Sequence, residues 1–313
     1  MFAATRSGRP IRLAVIGIGK IARDQHLPAI AADPRFTLVA AVSRHATVDG
    51  LPNYRDIADL LAADHALDAV SICTPPVGRA SIAMAAIDAG LHVMLEKPPA
   101  ATLSEIARIE AHAAAAGRTL FTTWHSREAA GVAAARAWLA DRKVVRMTID
   151  WREDIRRWHP GQDWILDAGG FGVFDPGINA LSIATRILPG AWTVEAADLY
   201  VPAGRMSPLV ADLTMACGDI PVTAGFDFLR QGPQQWDIVV ETDAGLLTLR
   251  EGGSVLEIDG VVTRGADAEY PGLYTAFERL VRSGTSDVDV TPLRLVADAF
   301  LLARRHEMPA FSW

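Results

Sequence analysis

Lys97, in the run Glu96-Lys97-Pro98-Pro99, is the residue best placed to do chemistry in this sequence. An ammonium stiffened by two following prolines can hydrogen-bond an oxygen and stabilise negative charge as it develops there. The tetrapeptide ends a short apolar run, His92-Val93-Met94-Leu95, which predicts a buried strand. Ligands of open α/β sheets sit outside the carboxyl ends of the strands. Lys97 is therefore expected where a hydride would be transferred. Most lysines are ordinary surface groups, and position alone sets this one apart.

A second group of residues has the chemistry of phosphate binding. Gly17-x-Gly19-x-x-Ala22 directly follows a predicted strand over residues 11–16. Gly17 permits the tight turn and Gly19 a close approach of backbone to a pyrophosphate. Lys20, Ile21 and Ala22 open a helix whose N-terminus offers unpaired N–H groups to the anion. The next strand, 37–42, ends at Ser43-Arg44, where an NAD-preferring site carries an acidic residue for the ribose. The planar fork of an arginine suits a 2′-phosphate, so NADP is expected as the preferred cofactor, with NAD accepted. A solvated arginine in a βα turn is the plain alternative. Thr74 and Pro75 leave a third strand, 68–73, and are expected beside the cofactor's ribose.

These residues need a frame, and the sequence supplies one. Helical patterns cover 78–89 and 102–116, the second opened by a capping box, Thr102-x-x-Glu105. A further strand over 119–123 leads to Trp124-His125. Five parallel strands with crossover helices predict an amino-terminal Rossmann domain, a doubly wound parallel sheet, over 1–127. Beyond a helix at 129–139 the pattern changes. Strand candidates at 144–151, 194–201, 209–217, 222–228, 236–242 and 246–250 are joined mostly by turn residues. The fold class is α/β, with a carboxy-terminal α+β domain over 128–313 on a largely antiparallel, open-faced sheet. The last helix, 292–305, is free to pack on either domain.

The bulk properties exclude several classes. The 313 residues are 50% hydrophobic and 21% charged, with a formal net charge of −7 and no basic block. A nucleic-acid partner is not expected. Cys73 and Cys217 lie far apart in apolar runs and read as buried thiols. No metal-ligand spacing appears. No run of eighteen apolar residues and no leader pattern occurs, so a cytoplasmic protein without membrane contact is expected, its first eight or so residues a loose tail.

Between the halves lies a polar and aromatic stretch, Trp151 to Pro160, followed by Trp164 and Gly169 to Asn179. Carbohydrate sites need aromatic faces for C–H surfaces and charged or amide groups for hydroxyls, and this stretch has both. An exposed amphipathic loop has the same composition. Asp175 before Pro176, with an apolar helical pattern after it, predicts an N-cap with proline at N1. Such a role would work against its basicity.

Taken together, Gly17-x-Gly19-x-x-Ala22, Glu96-Lys97-Pro98, Trp124-His125 and Asp175-x-Gly177-x-Asn179 resemble the glucose–fructose oxidoreductase, inositol dehydrogenase and MocA family over nearly the whole chain. Within it, residues 158–162, 174–179 and 287–290 resemble the aldose 1-dehydrogenases of L-arabinose and D-galactose. The resemblance implies NAD(P)-dependent oxidation of L-arabinose, D-galactose and D-fucose at C1 to the aldonolactone by a homodimer or homotetramer. Gly17, Gly19, Lys20, Ile21, Ala22, Ser43, Arg44, Thr74, Pro75, Glu96 and Lys97 are then the expected cofactor contacts. His125, Glu153, His159 and Asn179 are expected on the sugar's hydroxyls; Trp236 either borders the sugar or is a core or interface residue.

One departure matters. The family places a histidine acid/base where this chain has Asn179, and an amide does not exchange a proton at neutral pH. The resemblance therefore points to Asp175 with Lys97 as the catalytic pair. A sugar-binding sensor of the same fold would keep the glycine loop without needing both residues. An inositol or polyol dehydrogenase is the third alternative, and the missing histidine argues against it.

Overall fold

Strand β1 (Ile11–Ile16) is the centre of the first sheet because both its faces are covered, and all but one of its residues are buried. The computed structural model describes residues 8–63 and 65–313. The expected tail falls chiefly on residues 1–7, outside the described residues. The chain divides into two compact units, 1–124 with 270–289, and 125–269 with 290–313.

The first unit holds β1, β2 (Phe36–Val42), β3 (Asn53–Tyr54), β4 (Ala69–Ile72), β5 (His92–Leu95) and β6 (Leu120–Thr122). Their order is β3-β2-β1-β4-β5-β6, all parallel. This is the doubly wound order, with the two-residue β3 at the edge beyond the five strands expected. The capping box forms: Glu105 N–H donates to Thr102 Oγ1 at 3.2 Å.

The boundary at 127/128 needs correction. Helix Glu269–Ser283 belongs to the first unit from Tyr270 onward, although 145 residues lie between Trp124 and Tyr270. Tyr270, Leu273, Tyr274, Phe277, Leu280 and Val281 form one apolar stripe buried against Leu13, Phe36 and Phe121. Six buried side chains of this size, at about 1.5–3 kcal/mol each, outweigh chain order in deciding where the helix packs. The last helix, Thr291–Leu302, stays in the second unit, and the chain then forms a strand where helix was expected to continue.

The second unit is built on β7 (Val144–Arg152), β8 (Trp192–Pro202), β9 (Val210–Cys217), β10 (Ile220–Asp227), β11 (Gln235–Thr242), β12 (Gly245–Arg250), β13 (Val255–Ile258), β14 (Val261–Arg264) and β15 (Arg304–Met308). The order is β14-β13-β12-β11-β7-β10-β9-β8-β15. Only β7 with β10 and β8 with β15 run parallel, so the sheet is mixed and largely antiparallel. Helices Phe174–Ile187 and Thr291–Leu302 cover one face. The other carries Thr148, Asp150, Arg152, Asp198, Asp212 and Thr214, which alternate with buried residues as one-sided sheets require. Among the described residues no helix is long and apolar enough to cross a membrane.

Candidate active site

At the carboxyl end of the first sheet three strand exits are tied together by backbone bonds. Gly17 N–H donates to Val42 O at 2.8 Å, and Cys73 N–H donates to Ile16 O at 2.7 Å. These bonds bring the β1 turn beside Ser43 and Thr74. A Cβ on Gly17 would lie 2.6 Å from Thr74 N and 2.8 Å from Cys73 C, so only glycine fits this crossing. A Cβ on Gly19 would meet nothing within 4 Å, which leaves that turn open for a phosphate. The Oγ1 atom of Thr74 is buried with no hydrogen-bond partner among the described residues. A buried hydroxyl of this kind suits a ribose oxygen. Lys20 and Arg44 are exposed, and Lys20 pairs with Asp24 one turn on. Pro75 is exposed and Ser43 half-buried.

Lys97 follows β5, and its backbone is fixed on three sides. Its N–H donates to Glu96 Oε2 at 2.7 Å. The Arg79 guanidinium, only 2% exposed, donates to Glu96 O and Pro98 O, the carbonyls that flank Lys97. The same guanidinium donates to Thr74 O, through Nε at 3.1 Å, and so ties the two strand exits together. Glu96 was expected on the cofactor, but its carboxylate is turned inward. It accepts from Tyr270 Oη at 2.8 Å and lies 3.1 Å from His26 Nε2, whose Nδ1 is 2.8 Å from Tyr274 Oη. Burial disfavours charge on His26; Cys73, Tyr274 and the Glu96 hydrogen bond act the other way and raise its pKa well above the usual histidine range. Arg79, His26 and Tyr270 were not foreseen. Their signal is burial, which sequence alone does not show for a polar residue.

In the second unit four expected residues meet. Glu153 directly follows β7 and is 3% exposed; its N–H donates to Asp227 O at 2.8 Å. Its Oε2 accepts from Trp236 Nε1 at 2.8 Å. Trp236 lies between Trp151 and Trp158, with ring centroids 5.8 and 5.5 Å away. It is a half-buried member of an aromatic stack that orients Glu153. His159 Nε2 lies 3.6 Å from Asp175 Oδ2 and 4.0 Å from Glu153 Oε1.

Asp175 is not the N-cap. Helix Phe174–Ile187 begins two residues earlier than expected, with Val173 at the cap and Asp175 and Pro176 inside the first turn. Gly172, at φ 55°, bends the chain under Pro208, and Val173 N–H donates to Pro208 O at 2.7 Å. Proline is tolerated throughout a first turn, where its missing N–H has no helical partner anyway. Asp175 is 5% exposed, and Asn179 lies four residues on, along the same helix face. The turn His125–Glu128 is held to this helix by Arg127, which donates to Ser182 O at 2.9 Å. His125 itself is positioned by Glu269, Nδ1 to Oε2 at 2.9 Å. Glu269 was not foreseen.

Comparison with known proteins agrees with the fold class. Residues 11–123 match the family model described as the GFO/IDH/MocA oxidoreductase family with an NAD-binding Rossmann fold. Galactose 1-dehydrogenase of Pseudomonas fluorescens is 45% identical over 306 residues, 97% of this chain and 99% of that one. The chain belongs to the GFO/IDH/MocA oxidoreductase family. The crystal structure of D-galactose-1-dehydrogenase from Rhizobium etli matches this GFO/IDH/MocA protein with a TM-score of 0.94 and 52% identity, over 98% of this chain and 99% of that one. A 3-ketoreductase from Actinomadura kijaniata, crystallised with NADP, shares the fold at a TM-score of 0.81 and 21% identity, over 96% and 100% of the chains. This GFO/IDH/MocA protein thus has an NAD(P)-binding Rossmann unit. The glycine turn and the orphaned Thr74 hydroxyl fit that cofactor.

Proposed function

We propose that the protein is an aldose 1-dehydrogenase that oxidises D-galactose, and also L-arabinose and D-fucose, at C1 to the aldonolactone. The observation that carries this reading is near full-length similarity to two proteins named as galactose 1-dehydrogenases. The three sugars share their ring stereochemistry and differ at C5, a difference that apolar pockets discriminate only modestly. Bound NAD(P) supplies the hydride acceptor. Lys97 hydrogen-bonds the anomeric oxygen and stabilises the charge that grows there. Asp175 accepts the hydroxyl proton, directly or by way of Lys97. Glu153, His159, His125 and Asn179 hold the remaining hydroxyls, and Trp236 keeps Glu153 aimed. The polar face of the second sheet is the proposed contact in a homodimer or homotetramer.

The test is reduced-nicotinamide absorbance with D-galactose, L-arabinose, D-fucose and myo-inositol, each with NAD and NADP. Turnover of the aldoses and not of inositol is expected. Turnover of inositol alone, or saturable galactose binding without reduction, would overturn the reading. NADP is the proposed preferred cofactor, with Arg44 on its 2′-phosphate. Arg44→Ala is then expected to lower the NADP-to-NAD activity ratio about 10-fold, roughly the worth of one charge-assisted hydrogen bond. An unchanged ratio would remove Arg44 from cofactor selection.

A further inference from the structure

We infer that His159 is a proton-relay residue that takes the hydroxyl proton from Asp175, and so fills the part left open by the amide at 179. The inference rests on the proposed role of Asp175 as first acceptor. Its own basis is geometric. His159 Nε2 is 3.6 Å from Asp175 Oδ2 and 4.0 Å from Glu153 Oε1, so one ring nitrogen faces two carboxylates. Those carboxylates come from different parts of the unit, the first turn of helix Phe174–Ile187 and the residue that follows β7. Both residues are nearly fully buried, at 5% and 3% exposure. Phe228 lies against the imidazole, ring centroids 5.5 Å apart, and carries no charge. A proton on Nε2 would be stabilised from both sides, and such attraction is stronger away from bulk water.

The histidine side chain is also 20% exposed, against 6% for the carboxylate side of the Asp175 pair. It therefore has the access to water that Asp175 lacks. The separations exceed hydrogen-bond length, as is common before substrate draws catalytic groups together. Glu153 is kept in place by the Trp236 indole N–H at 2.8 Å. One of its oxygens is thus committed to Trp236 while the other faces the imidazole.

The step balances as follows. The C1–H bond breaks and its electron pair leaves as hydride to the oxidised nicotinamide. The O1–H bond breaks and its electron pair becomes the second bond of the lactone C1=O. The proton passes to Asp175, then to His159 Nε2, and from the imidazolium to water. No further oxidant or base is required.

Two measurements test the relay. In the first, His159→Ala is assayed with D-galactose, with and without added imidazole. The expected result is a kcat lowered on the order of 10²-fold, a KM within a few-fold of wild type, and partial recovery of kcat by imidazole. His159→Asn, which keeps hydrogen-bonding capacity but no exchangeable ring proton, should show the same loss. It also serves if the alanine variant does not fold. A raised KM with unchanged kcat in either variant, or a loss that imidazole does not restore, would make His159 only a hydroxyl-holding residue. In the second, the His159 ring is titrated by NMR in the protein without sugar, and again in Glu153→Gln and Asp175→Asn. A lower titration midpoint in both variants is expected, and an unmoved midpoint in both would overturn the proton site. This arm requires no turnover, so it still decides if the protein proves inactive on D-galactose and the proposed function falls.

Discussion

Replacing Lys97 by alanine is expected to lower kcat with D-galactose by 10²-fold or more, about 2.7 kcal/mol of lost transition-state stabilisation. In the proposed reaction the ammonium faces charge that exists only as C1–H and O1–H break, so its loss is expected in kcat more than in KM. The structure makes the comparison clean. The Lys97 backbone is held by the Glu96 carboxylate at its N–H and by Arg79 at the carbonyls on either side, none of which needs the side chain. The variant should therefore keep the fold, seen as a melting temperature close to wild type. Near-normal turnover in a folded Lys97→Ala protein would refute the assigned part.

The second large effect is expected from Gly17→Ala. Gly17 sits at φ 94°, a conformation that costs a residue with a Cβ about 1–3 kcal/mol. An added Cβ would also stand 2.6 Å from Thr74 N and 2.8 Å from Cys73 C, both backbone atoms that no rotamer change can move aside. Relief requires the β1 turn to separate from the exit of β4, at a further cost of about 1–3 kcal/mol. Because that contact sets the turn beside Thr74, cofactor affinity should fall at least 10-fold along with stability. Fluorescence titration with NADP and a urea melt would measure both. Wild-type affinity in Gly17→Ala would show that the turn does not shape the cofactor site.

The Rossmann unit was legible because each of its strands is a short apolar run followed by turn residues and an apolar helical repeat. Such local signals survive without tertiary information. The helix Glu269–Ser283 carried an equally clear repeat, with Tyr270, Leu273, Tyr274, Phe277 and Val281 at spacings of three and four, yet its place in the first unit was not. Nothing local says which core a helix joins after 145 residues. β15, with the sequence Arg304-Arg305-His306-Glu307-Met308, is polar and exposed at a sheet edge. Its strand character comes from pairing in parallel with β8, through contacts remote in sequence.

The site divides in the same way. Lys97, Gly17 and Thr74 were legible because strand exits position them. The helix that carries Asp175 was expected, but its start is shifted by the bend at Gly172 beneath Pro208, a contact between residues 36 apart. Arg79, His26 and Tyr270 were not seen because a buried polar group reads as a surface one until its partners are known. The meeting of His159 with both Glu153 and Asp175 depends on β7 and the helix after it converging, and no spacing announces that.

Hydride removal from C1 of an aldose is the step on which the proposed function depends. The most direct measurement uses D-galactose carrying deuterium at C1, incubated with the protein and NADP or NAD. Deuterium is expected on the reduced nicotinamide, with a sugar product that has lost it, recovered as the lactone or its hydrolysed acid. Reduced cofactor without deuterium, alongside a sugar that keeps its label, would contradict it. That result would place oxidation at another carbon.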